Sequence, residues 1–239
     1  GGDTSTSTGP FIPIAETFIS RQGEGLLTGT PSYFVRTSGC NLRCHFCDTP
    51  YTSWNAESAK TSVDWIVDAV VRSGIKHVVL TGGEPTLHAN SQTLVRQLRS
   101  NGKHVTVETA GTCDNPISCD LLSLSPKLTS SAPDKLKHPG WNKRHHDLRL
   151  NFAIMRRMIG QAPQTPPTLV VSSEDELDEV RFIAKELNLA SHDIWLMPEG
   201  IQSEKIRKAA EWLKPICDLN GYRYCDRMHI HWYGNKRGT

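Results

Sequence analysis

Three cysteines, Cys40, Cys44 and Cys47, fall within a stretch of eight residues. Their C-x3-C-x2-C spacing lets three thiolates wrap one soft metal centre, and thiolates suit both Zn²⁺ and iron–sulfur clusters. Structural zinc takes four protein ligands, usually as two pairs separated by a longer spacer. No second C-x2-C pair is present, since Cys113 and Cys119, and Cys217 and Cys225, lack that form. Three thiolates leave one iron of a [4Fe–4S] cubane open to a substrate or cofactor. A zinc site that borrows His45 or a more distant histidine is the alternative. The remaining four cysteines read as ordinary buried or half-buried thiols.

A second motif, Thr81-Gly82-Gly83-Glu84-Pro85, follows an apolar run about 40 residues after the cysteines. Its glycines let backbone approach a ligand closely, and Glu84 supplies an acceptor. A tight turn and nothing more is the plainer reading.

These loops need strands to hold them. Tyr33–Arg36, His77–Thr81, His104–Thr109, Leu121–Ser125, Thr168–Ser172 and Ile194–Met197 are short β-branched or apolar runs. Several are nearly continuously apolar, as parallel strands covered on both faces must be. Helical stripes lie between them. Val63, Ile66, Val67 and Val70 follow a Thr61–Ser62 start, and Leu94, Gln97, Leu98 and Asn101 make a weaker helix. Ser173–Glu176 has capping-box form ahead of Leu177, Val180, Ala184 and Leu187. A last helix starts near Ser203 and should kink or end at Pro215. Strands alternating with helices give an α/β fold, most simply an open or partial (β/α) barrel of about six parallel strands. Active sites in such folds sit at the carboxyl ends of the strands. That rule gathers the loops after Arg36, Thr81, Thr109, Ser125 and Met197 around one site. Gln161–Pro167 is a Pro-rich loop inside the domain.

The bulk numbers narrow the class. With 239 residues, 37% hydrophobic, the chain can bury a real core. A net charge of +2 gives no general pull towards nucleic acid or anionic lipid. The basic stretches Lys135–Arg149 and Arg223–Arg237 read as solvated faces or loops. No apolar run approaches the ~18 residues of a membrane helix. Residues 1–10, rich in Gly, Ser and Thr, read as a flexible tail without signal-peptide layout, and residues 11–239 as the domain. Clustered cysteines without an export signal point to metal binding in the reducing cytoplasm.

Together the two motifs resemble the radical S-adenosylmethionine (SAM) superfamily from about Ile14 to the C-terminus. Further segments are similar, in order and spacing, to the 7-carboxy-7-deazaguanine synthase family of queuosine biosynthesis. They are Thr17–Gly25 with its Gln22-Gly23-Glu24-Gly25 core, Phe34-Val35-Arg36, Cys47-Asp48-Thr49, Glu108–Thr112, Ser125-Pro126-Lys127 and Trp232–Gly238. The resemblance implies a trimmed radical SAM barrel carrying a [4Fe–4S] cluster on Cys40, Cys44 and Cys47. It implies SAM held by Phe46, Cys47, Asp48, Gly83, Glu84, Ser125, Pro126 and Lys127, and Mg²⁺ on Thr49. It implies a pterin substrate, 6-carboxy-5,6,7,8-tetrahydropterin, met by Arg21, Gln22, Gly23, Glu24, Arg36, Thr81, His229 and Thr239. Arg36 suits a substrate carboxylate bidentately, a surface ion pair being its plainer role. Thr49 taken alone reads as a loop cap. The stretch Arg227–His231 departs from the commoner family pattern, so His229 is chosen over His231 by position alone. A homodimer and an electron donor such as flavodoxin or ferredoxin come with the resemblance.

Two rival readings stand beside this one. A glycyl-radical activase shares the cysteine and glycine motifs but has no use for Gln22–Gly25 or Arg36. A non-catalytic zinc or Fe–S module requires a closed four-ligand site. The cysteine assignment has a direct test. Cys44→Ala should abolish the broad visible absorbance near ~400 nm of a thiolate-ligated cluster, and Cys113→Ala should leave it. Equal loss in both variants would contradict the assignment.

Overall fold

The order of elements is β1 (Phe11–Arg21), β2 (Pro31–Thr37), β3 (Ala59–Ser62), α1 (Val63–Ser73), β4 (His77–Thr81), α2 (Asn90–Ser100), β5 (His104–Thr109), β6 (Leu121–Leu124), α3 (Pro139–Leu148), α4 (Phe152–Gln161), β7 (Thr168–Val171), α5 (Leu177–Glu186), β8 (Trp195–Pro198), α6 (Ser203–Asn220), β9 (Arg223–Tyr224) and α7 (Met228–Tyr233). This is a computed structural model that describes residues 9–239. Most of the tail expected over residues 1–10 lies outside the described residues.

All six expected runs are strands. β2, β4, β5 and β6 pair in parallel within a sheet ordered β3-β1-β2-β4-β5-β6. β7, β8 and β9 form a second parallel sheet, and an isolated parallel bridge pairs Leu121 of β6 with Gln164 in the loop before β7. The result is a partial (β/α) barrel. Val78, Val79 and Leu80 of β4 are wholly buried, as are Val105 and Val107 of β5. Each such side chain contributes about 1.5–3 kcal/mol relative to exposure. Three strands go beyond the expected set. β1 pairs antiparallel with β2 and with β3, but Pro13 and Glu16 blur its alternation. β3 and β9 are too short to show a period.

Ser62 caps α1 by accepting from Trp65 N–H at 2.9 Å, as the Thr61–Ser62 signal implied. The expected capping box is displaced. Ser173 makes no side-chain cap, a 3-10 turn fills Glu174–Glu176, and Glu176 accepts from Ser172 N–H at 3.0 Å. Pro215 does not end α6, which continues to Asn220. Leu213 and Cys217 are buried on either side of it, and their burial outweighs the ~3 kcal/mol that an interior proline costs.

α3 and α4 are helices that the sequence pattern did not reveal. α3 falls in the basic stretch read as a solvated face, and its His145 is wholly buried. Arg43 N–H, within the cysteine loop, donates to His145 Nδ1 at 3.1 Å. His145 Nε2 is 2.7 Å from Ser131 Oγ, and the Ser131 carbonyl accepts from His45 N–H at 3.0 Å. Two amides of the cysteine loop are thus fastened to one neutral imidazole and its serine partner.

Burial, aided by neighbouring His146, pushes the His145 imidazole from 6.5 down to about 4. Below pH ~6.5 the unfolded chain takes up a proton that the folded chain refuses. Stability therefore falls as pH drops from about 6.5 to about 4, by ~3 kcal/mol in all. Urea unfolding between pH 7 and pH 4.5 should show this loss in the native protein and a flatter profile in His145→Gln. An unchanged profile in the variant would assign the acid sensitivity to another group.

Candidate active site

Parallel register aligns the chemically active ends of the strands. Arg36 at the end of β2 pairs with Thr81 of β4, and Glu108 of β5 with Ser123 of β6. Beyond them opens a cavity of about 570 Å³, within the ~300–1,000 Å³ range of small-molecule sites. Cys40, Cys44, Phe46, Cys47, Asp48 and Thr49 line it, with Gly83, Glu84, Ser125 and Lys127. So do Arg21, Gln22, Gly23, Glu24, Arg36, Thr81, His229 and Thr239. Of the residues expected at the site only Pro126 is missing from the wall, being buried behind its neighbours.

The glycine turn and the cysteine loop are laced together. Glu84 N–H donates to the Gly39 carbonyl at 2.8 Å, and Gly39 N–H to the Thr52 carbonyl at 2.8 Å. Gly83 N–H donates to Thr52 Oγ1 at 2.9 Å. A Cβ on Gly83 would overlap the Gly39 carbonyl oxygen, and one on Gly82 would overlap Thr37 Oγ1. Neither glycine has a positive φ. At Gly83 this smallness permits contact with the backbone of the cysteine loop, and at Gly82 contact with Thr37.

Glu84 fastens the same turn to a further loop. Its carboxylate accepts from Thr86 N–H at 3.1 Å, Thr86 Oγ1 at 2.7 Å, Thr109 Oγ1 at 2.8 Å and Ala110 N–H at 2.8 Å. All four donors belong to the protein, so the side chain anchors the turn to the loop after β5. Thr49 is no loop cap, since its side chain makes no capping bond. Its Oγ1 lies 3.0 Å from Thr52 Oγ1 and 3.5 Å from the Gly82 carbonyl.

On the other wall, Arg36 Nε donates to Glu16 Oε1 at 2.9 Å, in a pair far from fully exposed. Glu16 also takes Tyr51 OH at 2.5 Å and Arg237 Nε at 3.1 Å. Gln22 is spent internally, donating from Nε2 to Ser32 Oγ at 3.0 Å. Arg21 lies 3.9 Å over the Trp232 ring. Thr239 Oγ1 donates to the Lys236 carbonyl at 2.5 Å. His231 is bound by Ser203 Oγ at 2.5 Å and Asp226 Oδ1 at 2.9 Å and stays out of the cavity. His229 lines it, with Nε2 3.7 Å from Glu24 Oε1.

Sequence reading gave no site role to Glu108, although it opens one of the family-like segments, or to Arg227, and both line this wall. Glu108 receives Thr81 Oγ1 at 2.6 Å. Burial first, then the nearby Glu24 carboxylate, raise its pKa above the ordinary carboxylate range. Its signal was a lone charge at the end of an apolar strand. Arg227 is buried and bonds Asp48, Glu24 at 3.3 Å and the Gly200 carbonyl. It lies in the second basic stretch, which was therefore misread as wholly solvated. No local pattern marks it, because its partners are nearly 180 and more than 200 residues away.

The donor set suits an iron–sulfur cluster. All three loop cysteines are free and face one cavity. Burial, with the Glu84 charge behind it, pushes the Cys40 thiol up to about 12, and burial raises Cys44 as well. Bound iron supplies the positive charge that ionises such sulfurs. Among the described residues no three His, Cys, Asp or Glu side chains are gathered for a single metal ion.

Barrel and cysteine loop define a radical SAM enzyme, and the model of the Radical SAM superfamily matches residues 34–129. Such an enzyme works with a [4Fe–4S] cluster and SAM. The "7-carboxy-7-deazaguanine synthase" of Rhodopirellula baltica is 51% identical over 100% of this chain and 92% of its own length. That of Halobacterium salinarum is 41% identical over 96% of this chain and 91% of its own length. The chain belongs to the 7-carboxy-7-deazaguanine synthase family. Among solved structures, QueE from Escherichia coli shares the fold with a TM-score of 0.66 at 22% identity, covering 92% of this chain and 95% of that one. This membership sets aside both the activase and the binding-module readings. No described helix is long and apolar enough to cross a membrane.

Glu84→Gln tests the anchor. It replaces an acceptor oxygen by a donor against four donors, so unfolding free energy in urea should fall by ~1–3 kcal/mol. Unchanged stability would mean that the turn is held by its backbone contacts alone.

Proposed function

We propose that the chain converts 6-carboxy-5,6,7,8-tetrahydropterin to 7-carboxy-7-deazaguanine with release of ammonia. The observation that carries this is the convergence of Arg36, the Gln22–Glu24 turn and the three-thiol loop on one cavity. When bound, the cluster and SAM supply the electron and the carbon-centred radical that takes hydrogen from the substrate. Every other task falls to the chain.

Arg36 keeps part of its guanidinium fork beyond the Glu16 bond, and a planar fork meets a substrate carboxylate bidentately. Glu24 offers an acceptor to the adjacent donors of the guanine-like pterin edge. Gly23 serves through its backbone, packed against His229, and Thr81 stands beside Arg36 on the substrate side. SAM falls to Phe46, Cys47, Asp48, the backbone of Gly83, Ser125 and Lys127, whose Nζ lies 3.3 Å from Ser125 Oγ. Thr49 Oγ1 and the Gly82 carbonyl, 3.5 Å apart, are hard oxygens of the kind that would hold Mg²⁺ together with water and substrate. A homodimer and electron delivery by a flavodoxin or ferredoxin belong to the same reading and rest on the family resemblance, whereas a single domain over residues 11–239 and a cytoplasmic location rest on composition and the clustered cysteines.

Anaerobic incubation with the pterin, SAM and a reductant should yield the deazaguanine acid and ammonia in equal amounts. Its absence from cluster-loaded protein would overturn the proposal. The magnesium assignment has its own test. Thr49→Val keeps the shape but removes the oxygen, so turnover should drop and its Mg²⁺ dependence shift upward or vanish. Cluster absorbance and SAM affinity should survive. Thr49→Ser should retain most activity. An active valine variant beside an impaired serine variant would make Thr49 a packing residue.

A further inference from the structure

We infer that Arg227 is a positioning residue that couples the substrate side of the cavity to its cofactor side through Glu24 and Asp48. The inference rests on the proposed roles of those two carboxylates. Arg227 sits in the turn before α7, with 3% of its surface exposed. All three guanidinium nitrogens are committed: Nε to Glu24 Oε1 at 3.3 Å, Nη2 to Asp48 Oδ2, and Nη1 to the Gly200 carbonyl. One planar group therefore joins the turn after β1, the cysteine loop and the loop after β8.

The surrounding chain is built to bring it there. Met228 N–H donates to the Gly23 carbonyl at 2.8 Å. A Cβ on Gly23 would collide with His229, so only glycine lets the C-terminal segment settle on this turn. The backbone N–H of Arg227 donates to Asp226 Oδ1 at 2.7 Å, which fixes where the side chain begins. Asp48 lies between Cys47 and Thr49, so a force on its carboxylate reaches the cysteine loop directly. Glu24 Oε1 takes the arginine, leaving Oε2 for a ligand.

Burial opposes the charge on Arg227, and the Asp48 and Glu24 carboxylates outweigh it and raise its pKa. Without the guanidinium, two carboxylates would face each other across a partly dry wall. Each would turn towards water, and a removed partner is the costly way to break a buried ion pair. A lysine keeps the charge but reaches one partner at a time.

Two binding measurements decide the matter, SAM affinity by equilibrium titration and pterin KM, each in cluster-loaded protein. Arg227→Met should weaken both by about 10- to 100-fold, the range of a lost charge-assisted hydrogen bond. Visible absorbance of the cluster should remain. Arg227→Lys should recover part of one affinity and little of the other. Because the arginine acts through the carboxylates, adding Asp48→Asn to Arg227→Met should cost no further SAM affinity. Adding Glu24→Gln should likewise leave pterin KM where Arg227→Met put it. Unchanged affinities in Arg227→Met, or effects that multiply in the double variants, would overturn the coupling. Should Arg227→Met fail to fold, the same cycles with Arg227→Lys decide. Native protein that binds SAM but never turns over the pterin would sink the proposed reaction, and the SAM cycle would still judge Arg227.

Discussion

Two loops meet with no room for a side chain between them, and the rest of the site depends on that contact. The turn after β4 approaches the loop after β2 so closely that a methyl group at residue 83 would overlap the Gly39 carbonyl. Cys40 is the next residue along. The turn reaches its other neighbour through Glu84, whose carboxylate gathers donors from the loop after β5. Three consecutive strand ends are thereby locked into one surface before any ligand arrives. Preorganisation of this kind is what radical chemistry asks of a protein whose cofactors carry the reaction.

Around this core the charged residues fall into bound sets. Arg36, Glu16, Tyr51 and Arg237 make one, and Arg227, Asp48, Glu24 and His229 make another. Glu108 and Thr81 lie between them. Partial burial makes each pairing worth more than at a surface, and makes a missing partner expensive. His145 adds a polar brace on the far side of the cysteine loop. The loop is thus held from the turn, from the C-terminal segment and from α3.

Legibility from sequence followed the range of the interactions. Parallel strands were readable because burial on both faces demands continuous apolar runs, as in His77–Thr81. The cysteine loop was readable because its ligands are local. The anchoring role of Glu84 was not legible, because sequence cannot show its four internal donors. The reason for Gly83 was hidden likewise, since its neighbour, Gly39, lies 44 positions away in the chain. β1 was missed because Pro13 and Glu16 interrupt its period, and Glu16 is polar for the sake of Arg36. Arg227 and His145 both sat in stretches whose net charge looked like solvent exposure. Composition averages over a stretch, and one buried residue within it vanishes from the average.

The claim that the glycine turn and the cysteine loop form one unit can be tested on Gly83→Ala by measuring iron and sulfide per chain after anaerobic reconstitution. The added methyl group displaces Gly39, and with it Cys40, so the account expects iron and sulfide content to fall along with SAM affinity. A full complement of iron and sulfide with only SAM binding lost would contradict it.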